Sequence, residues 1–296
     1  MLSPRAAILF LVATFFITVM SALVHYVTQE VPIGQVIFWR SFASLPVIVA
    51  YMWARGQLPA ALHTNHPKLH IIRGLLGAGA MACSFISLAY LPVANAKALS
   101  YLGPVFTLPL AALIGGETVT RRIIIATSLG MGGVIAMLWQ ALALPGNSAL
   151  IGVAAGLSMA CITSYIRIHI RRMTRTERPA TIALSFAVTA TFVGLCTWPF
   201  GWEPLSGTYL MLLVMVGTLG GMAHVLSAEA VKIAPVSLLA PLEYSGLVWA
   251  LGIDLIIFRN NPGLWGFLGA VMILGGALLV TLGMRRQRTG VPTGGA

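Results

Sequence analysis

The sequence predicts an all-α membrane protein of ten transmembrane helices, arranged as two inverted five-helix repeats with both termini cytoplasmic. Three observations lead there. First, 58% of its 296 residues are hydrophobic and 8% are charged, against about 25% charged in an ordinary soluble domain. Too few polar side chains exist to clothe a globule of this size in water, which argues against a soluble enzyme. Second, ten apolar runs approach the roughly 20 residues that a helix needs to cross a hydrocarbon core about 30 Å thick. Third, the basic residues gather in alternate connections, as the positive-inside rule requires.

In order, the runs are 6–27, 33–54, 71–91, 93–114, 123–142, 149–169, 180–200, 208–230, 234–257 and 264–284. Arg5 followed by an apolar stretch is also how a secretory signal begins. Nine further runs follow, so the first is read as a retained helix. The connections are short, and none is long enough for a soluble domain.

With the N-terminus in the cytoplasm, fifteen of the 18 Lys and Arg residues fall on the inner side. They are Arg5; Arg55, Lys68 and Arg73; Arg121 and Arg122; Arg167, Arg171, Arg172, Arg175 and Arg178; Lys232; and Arg285, Arg286 and Arg288. The outer loops hold Arg259, while Arg40 and Lys97 lie inside spans. This asymmetry places both termini inside and requires an even number of spans. The net charge of +11 is therefore read as orientation in a membrane and contact with anionic lipid, not as a nucleic-acid surface. Cys83, Cys161 and Cys196 all lie in apolar stretches without a CxxC pair, so neither a disulfide framework nor a zinc site is suggested.

Sliding the chain against itself by 142 positions places Ala98-Leu99-Ser100-Tyr101-Leu102 on Ala240-Pro241-Leu242-Glu243-Tyr244, and Gly133 on Gly275. Each half also opens its second helix near a proline, Pro32 or Pro179. Ten helices thus divide into a first repeat over 7–142, a second over 149–284 and a tail over 285–296. Because five is odd, tandem copies enter the membrane in opposite directions. Inverted repeats of this kind mark transporters.

The segments that carry a family likeness are Arg73-Gly74-Leu75-Leu76, Ser87-Leu88-Ala89-Tyr90-Leu91-Pro92-Val93-Ala94, Pro104-Val105-Phe106-Thr107 and Gly116-Glu117. In the second half they are Ile233-Ala234-Pro235-Val236 and Pro241-Leu242-Glu243. These resemble the EamA domain of the drug/metabolite transporter superfamily, over about residues 7–284. The resemblance implies ten helices, a central substrate cavity and alternating access. Arg73-Gly74 with the Leu-Pro-Val-Ala turn is similar to the branch holding riboflavin and S-adenosylmethionine carriers. One departure stands out: the second copy ends its fourth helix in Phe258-Arg259 instead of Gly-Glu, so the helix-end role of Glu117 is not duplicated.

Polar residues inside spans are the functional candidates, because lipid penalises them unless they face the bundle and find partners. Glu243 lies near the middle of the ninth span and pairs in the repeat with Tyr101. It is either a neutral carboxyl bonded to a neighbouring helix or a group that carries a proton or holds a substrate cation. Arg40 either binds backbone carbonyls or meets an anionic substrate group, toward an outer gate. Lys97, one turn before Tyr101, either snorkels to the outer interface or joins that gate. Asn95 is a helix cap or a ligand. Tyr101, Tyr244 and Trp249 offer ring surfaces, as do Phe38 and Trp39 beside Arg40. Pro104, Pro109 and Pro241 interrupt the fourth and ninth helices at corresponding places, the best sequence pointer to a transporter's site. The cavity is therefore expected between those two helices.

Other features have plainer readings. His224 and Glu229 are a satisfied histidine and an interfacial charge; a proton relay would need His224 near Glu243. His63, His66 and His70 read as a polar cytoplasmic loop and not a metal site. Gly152 and Gly156, like Gly217 and Gly221, form small faces for close helix contact. Gly77-Ala78-Gly79-Ala80-Met81-Ala82 fits a dinucleotide pattern but sits in an apolar helix with no strand before it. No P-loop, HExxH or GxSxG occurs. The expected function is a multi-pass inner-membrane secondary transporter for a small organic metabolite, with no cofactor, no metal and no enzymatic activity. It would act as a monomer or homodimer. The alternative is a channel or a non-transporting membrane scaffold.

Overall fold

The structure, a computed structural model, describes residues 3–58, 63–64, 66–103, 106, 121–142, 148–173, 177, 179–234, 239 and 242–289. Among them are ten α-helices, one 3₁₀ turn and no strand. The helices are α1 (Pro4–Val27), α2 (Ile33–Ala54), α3 (Pro67–Tyr90), α4 (Val93–Ser100), α5 (Arg121–Leu142), α6 (Ser148–Met173), α7 (Pro179–Leu195), α8 (Gly207–Ile233), α9 (Ser245–Ile256) and α10 (Gly263–Thr289). The 3₁₀ turn spans Trp198–Phe200.

Proline sets the helix starts. Pro4 and Pro67 occupy the first turns of α1 and α3, where a missing N–H costs nothing. Pro32 and Pro92 stand at the N-caps of α2 and α4 in extended conformation. Ser206 caps α8 by accepting a hydrogen bond from Tyr209 N at 3.4 Å. Pro46 lies inside α2, where it removes a backbone donor one turn below Phe42. At the end of α2, Gly56 turns the chain with φ +62°, a conformation that a residue without Cβ adopts readily.

Six described segments are long and apolar enough to cross a membrane: Pro4–Val27, Ile33–Ala54, Pro67–Tyr90, Ser148–Ile166, Thr181–Phe200 and Gly207–Ile233. Ser128–Met137, Ser245–Ile256 and Gly263–Gly276 are shorter apolar helices. The described parts of the fourth and ninth helices are shorter than the runs 93–114 and 234–257 that the sequence marks.

The distribution of polarity is that of a molecule dissolved in lipid. Phe200, Ile256, Trp53 and Leu264 are more than two-thirds exposed, while Thr18, Ser41, Ser44 and Ser164 are wholly buried. A soluble protein shows the reverse. The chain is a multi-pass membrane protein.

Helix packing follows a pattern. α1 packs on α8, and α6 on α3; α2 packs on α8, and α7 on α3; α1 packs on α9, and α6 on α4. The other large contacts join α2 to α7, α4 to α9 and α5 to α10. Glycine makes the tightest of these possible. A Cβ on Gly133 of α5 would stand 2.7 Å from the carbonyl oxygen of Gly269 on α10. One on Gly217 of α8 would stand 2.5 Å from the Cβ of Ala43 on α2.

Candidate functional site

Two polar clusters occupy the interior. The first joins the end of α4 to the start of α9. Tyr101, immediately after α4, donates its hydroxyl to the backbone carbonyl of Glu243 at 2.9 Å. Its ring lies 5.3 Å from that of Tyr244, inclined by 59°. Gly246 admits the phenol, because a Cβ there would be 2.5 Å from Tyr101 Oη. Lys97, one turn earlier, feels the charge of Glu243. From α1, Thr14 and Ser245 share a hydrogen bond of 2.8 Å, and Thr18 donates to the carbonyl of Gly246 at 3.4 Å. Lys97, Tyr101, Tyr244 and Glu243 are thus brought together. Trp249 is not among them: it is exposed and meets Phe15 edge-on, with centroids 5.6 Å apart.

The second cluster lies among α2, α3, α7 and α8. Arg40 is buried, and its Nη2 donates to His224 Nε2 at 3.2 Å. Guanidinium has no acceptor, so His224 Nε2 must be the lone-pair nitrogen and its proton sits on Nδ1. The Arg73 guanidinium stands 4.4 Å from the centroid of Phe186 on α7, a cation–π contact. The His224 ring feels both guanidinium charges. A central arginine costs about 2.5–3.5 kcal/mol on insertion scales. Two of them in one bundle demand compensation.

The sequence reading counted Arg73 with the cytoplasmic charges. The structure corrects this: it lies on α3, and its Nε and Nη1 are buried. A long side chain that reaches along its helix moves its charge far from its Cα, which a residue count ignores. His224 is placed against Arg40, the pairing that the sequence did not foresee. Pro104, Pro109 and Pro241 lie outside the described residues.

The two ends of the bundle carry their own locks. At one end, the carboxylate of Asp254 on α9 accepts from Val93 N at 3.2 Å and Ala94 N at 2.7 Å. This is the cap of α4, supplied across the bundle by Asp254 and not by Asn95. Asp254 escapes the sequence reading because it stands near the end of its run, away from the mid-span carboxylate Glu243. A signal existed: it follows Glu243 by 11 positions, which is about three turns and so the same helix face. At the opposite end, Glu229 of α8 accepts from Tyr51 and, at 2.7 Å, from Arg55 of α2, with Lys232 at 2.8 Å.

His70 is part of a helix and not of the polar loop that holds His63. His70 is buried on α3 with Nε2 3.3 Å from Glu177 and Nδ1 2.8 Å from Ser185 Oγ. Glu177 also accepts from Thr64 Oγ1 at 2.9 Å and His66 N at 3.2 Å. Glu177, between α6 and α7, is thereby fastened to α3 and to the segment before it, and Ser185 ties His70 to α7.

A helical bundle that is polar within, apolar without and joined by short loops defines an integral membrane transporter once set beside known proteins. The chain belongs to the EamA-like transporter family, whose model matches residues 4–139 and again 147–282. It is similar to the pseudopaline exporter of Pseudomonas aeruginosa strain UCBPP-PA14, with 25% identity over 97% of this chain and 98% of that protein. The S-adenosylmethionine uptake transporter of Rickettsia prowazekii is 27% identical over 83% of this chain and 82% of its own. A riboflavin transporter of Brucella anthropi is 23% identical over 84% of this chain and 87% of its own. A crystal structure sharing 24% identity superposes with a TM-score of 0.66, covering 97% of this chain and all of that one, and shows the same fold.

Proposed function

We propose that the chain is a secondary transporter of the inner membrane that moves a small organic metabolite by alternating access of two inverted five-helix halves. The observation that carries this reading is the reciprocity of the helix contacts. Number each half one to five, so that α6 corresponds to α1 and α10 to α5. Every major off-axis contact then has its partner: α1–α8 with α6–α3, α2–α8 with α7–α3, and α1–α9 with α6–α4. The pairs α2–α7, α4–α9 and α5–α10 join counterparts to each other, as happens along an axis relating the halves. Tyr101 and Glu243, paired by the repeat, are joined by a hydrogen bond, which supports a position near such an axis. A site on such an axis is presented alternately to either side as the halves exchange conformations. Substrate drives that exchange only by contacts that differ between the two states.

In this reading Glu243, Tyr101, Tyr244 and Lys97 form a polar wall of the site, and the ring pair stacks on a cyclic substrate. The names of the relatives set the first panel: riboflavin and S-adenosylmethionine, with aromatic amino acids and a lipophilic cation beside them. Saturable counterflow of one compound in proteoliposomes is the expected result. Linear uptake of many solutes would instead mark a channel. No flux of any solute through folded protein would favour a scaffold.

Glu243 is also the proton-coupling candidate. Glu243→Gln is expected to remove the response of uptake to a pH gradient while counterflow persists, because the amide cannot exchange a proton but keeps the shape. Uptake by that variant that remains fully pH-driven would remove Glu243 from the coupling role.

A further inference from the structure

Arg40 and Arg73 are two cations in the bundle interior, and the described carboxylates are engaged elsewhere. Glu177 meets His70, Glu229 meets Arg55 and Lys232, Asp254 caps α4, and Glu243 acts on Lys97. Glu30 and Glu203 are exposed in the connections after α1 and before α8. Among the described residues, Nε of Arg40 and both Nε and Nη1 of Arg73 are buried donors without a hydrogen-bond partner. Arg40 itself is only 7% exposed. Buried polar donors are nearly always satisfied, so three such N–H-bearing nitrogens on two guanidinium groups indicate a partner of the opposite charge that binds and leaves.

The surroundings are shaped for such a partner. Gly77 faces Arg73 Nη1 and the Phe186 ring, and a Cβ on Gly220 would lie 3.4 Å from Arg40 Nε and Nη2. Both glycines therefore leave the guanidinium planes clear. Phe186 holds the Arg73 plane from one side, and His224 orients that of Arg40. Arg40 is seven residues from the start of α2 and fourteen from its end, and His224 is nine from the end of α8. The cluster thus sits at a depth remote from either surface.

We infer that Arg40, Arg73 and His224 form the subsite for an oxyanionic group of the transported substrate, a carboxylate or a phosphate. Planar guanidinium donors match the paired oxygens of either group, and His224 adds its Nδ1–H or holds Arg40 in place. Two cations and a neutral imidazole favour a doubly charged anion over a single one. This inference rests on the carrier reading above and narrows its substrate class.

The test separates the two. Purified full-length protein in detergent is titrated with succinate, inorganic phosphate, neutral succinamide and chloride, and the unfolding midpoint and tryptophan fluorescence are followed. Succinate or phosphate is expected to stabilise the protein saturably, and whichever does so identifies the group. Succinamide and chloride at the same concentration are expected to do nothing. Arg73→Gln and Arg40→Gln are expected to weaken the effect about tenfold or more, the loss of a charge-assisted hydrogen bond. Arg73→Lys, which keeps the charge at the bundle interior, serves where the neutral variants do not fold and is expected to bind more weakly than the wild type. Equal protection by chloride would make the cluster a structural ion site and overturn the inference. So would undiminished binding in the folded variants, or no response to either oxyanion. Counterflow is measured separately on the same variants. Saturable counterflow of a cationic or neutral metabolite, unchanged in Arg73→Gln, would keep the carrier and overturn the anion subsite. Oxyanion binding that requires both arginines without any counterflow would keep the subsite and overturn the carrier.

Discussion

Asp254→Ala is expected to destabilise the protein by about 2–5 kcal/mol, the cost of leaving two buried backbone donors without an acceptor. The carboxylate is 2% exposed, and it serves Val93 N and Ala94 N, the first amides of α4. Those amides have no acceptor within their own helix, and the ring of the preceding residue, Pro92, carries no acceptor. Water cannot replace the carboxylate at a buried site. The positive end of the helix dipole adds to the loss. Asp254→Asn is expected to recover part of the stability, since one carbonyl oxygen remains while the other position becomes a donor facing an N–H. Thermal unfolding of the purified protein reads the difference. An unchanged midpoint for the alanine variant would mean that α4 is held by packing alone.

The second large effect is steric. Gly133→Leu is expected to prevent recovery of folded protein, and Gly133→Ala to cost about 1–3 kcal/mol, as overpacking does. The Cβ at this position would press on the Gly269 carbonyl, and it would lie 2.9 Å from both the amide nitrogen and Cγ1 of Ile273. Backbone atoms in the middle of α10 cannot yield as a flexible side chain does. Gly79→Ala supplies the control, because a Cβ there meets nothing within 4 Å. It should leave stability unchanged or raise it, since alanine favours a helix over glycine by about 1 kcal/mol. Size-exclusion profiles and unfolding midpoints of the three variants provide the measurement. Equal behaviour of Gly79→Ala and Gly133→Ala would show that the α5–α10 crossing is looser than described.

These two positions differ in how far a reader of the sequence could have foreseen them. Helix existence was legible, because lipid demands long apolar runs and each of the ten runs contains one described helix. Small residues as contact faces were legible too: Gly217 packs on Ala43 and Gly156 on Leu99. The meeting of Tyr101 with Glu243 was visible as a repeat correspondence, though nothing in the sequence said that the two would touch. What stayed hidden depends on the reach and direction of side chains. Arg73 has its Cα near the start of α3 and its charge one turn further along, beside Gly77. Asp254 looks like a lone polar residue until the start of α4 is seen beside it. His224 and Arg40 are separated by 184 positions, and no spacing rule connects residues so far apart.

The largest helix contacts run between the halves and not within them: α5 needs α10, α1 needs α8, and α3 needs α6. This has a consequence for biosynthesis. When a ribosome has inserted the first five helices, nearly every face that will be buried is still waiting for a partner. At about 5–20 residues per second, the 184 positions between Arg40 and His224 take roughly 10–40 s to translate. For that time the arginine faces lipid or the insertion machinery without its imidazole. A chain truncated after α5 is therefore expected to be cleared from the cell faster than the full-length chain.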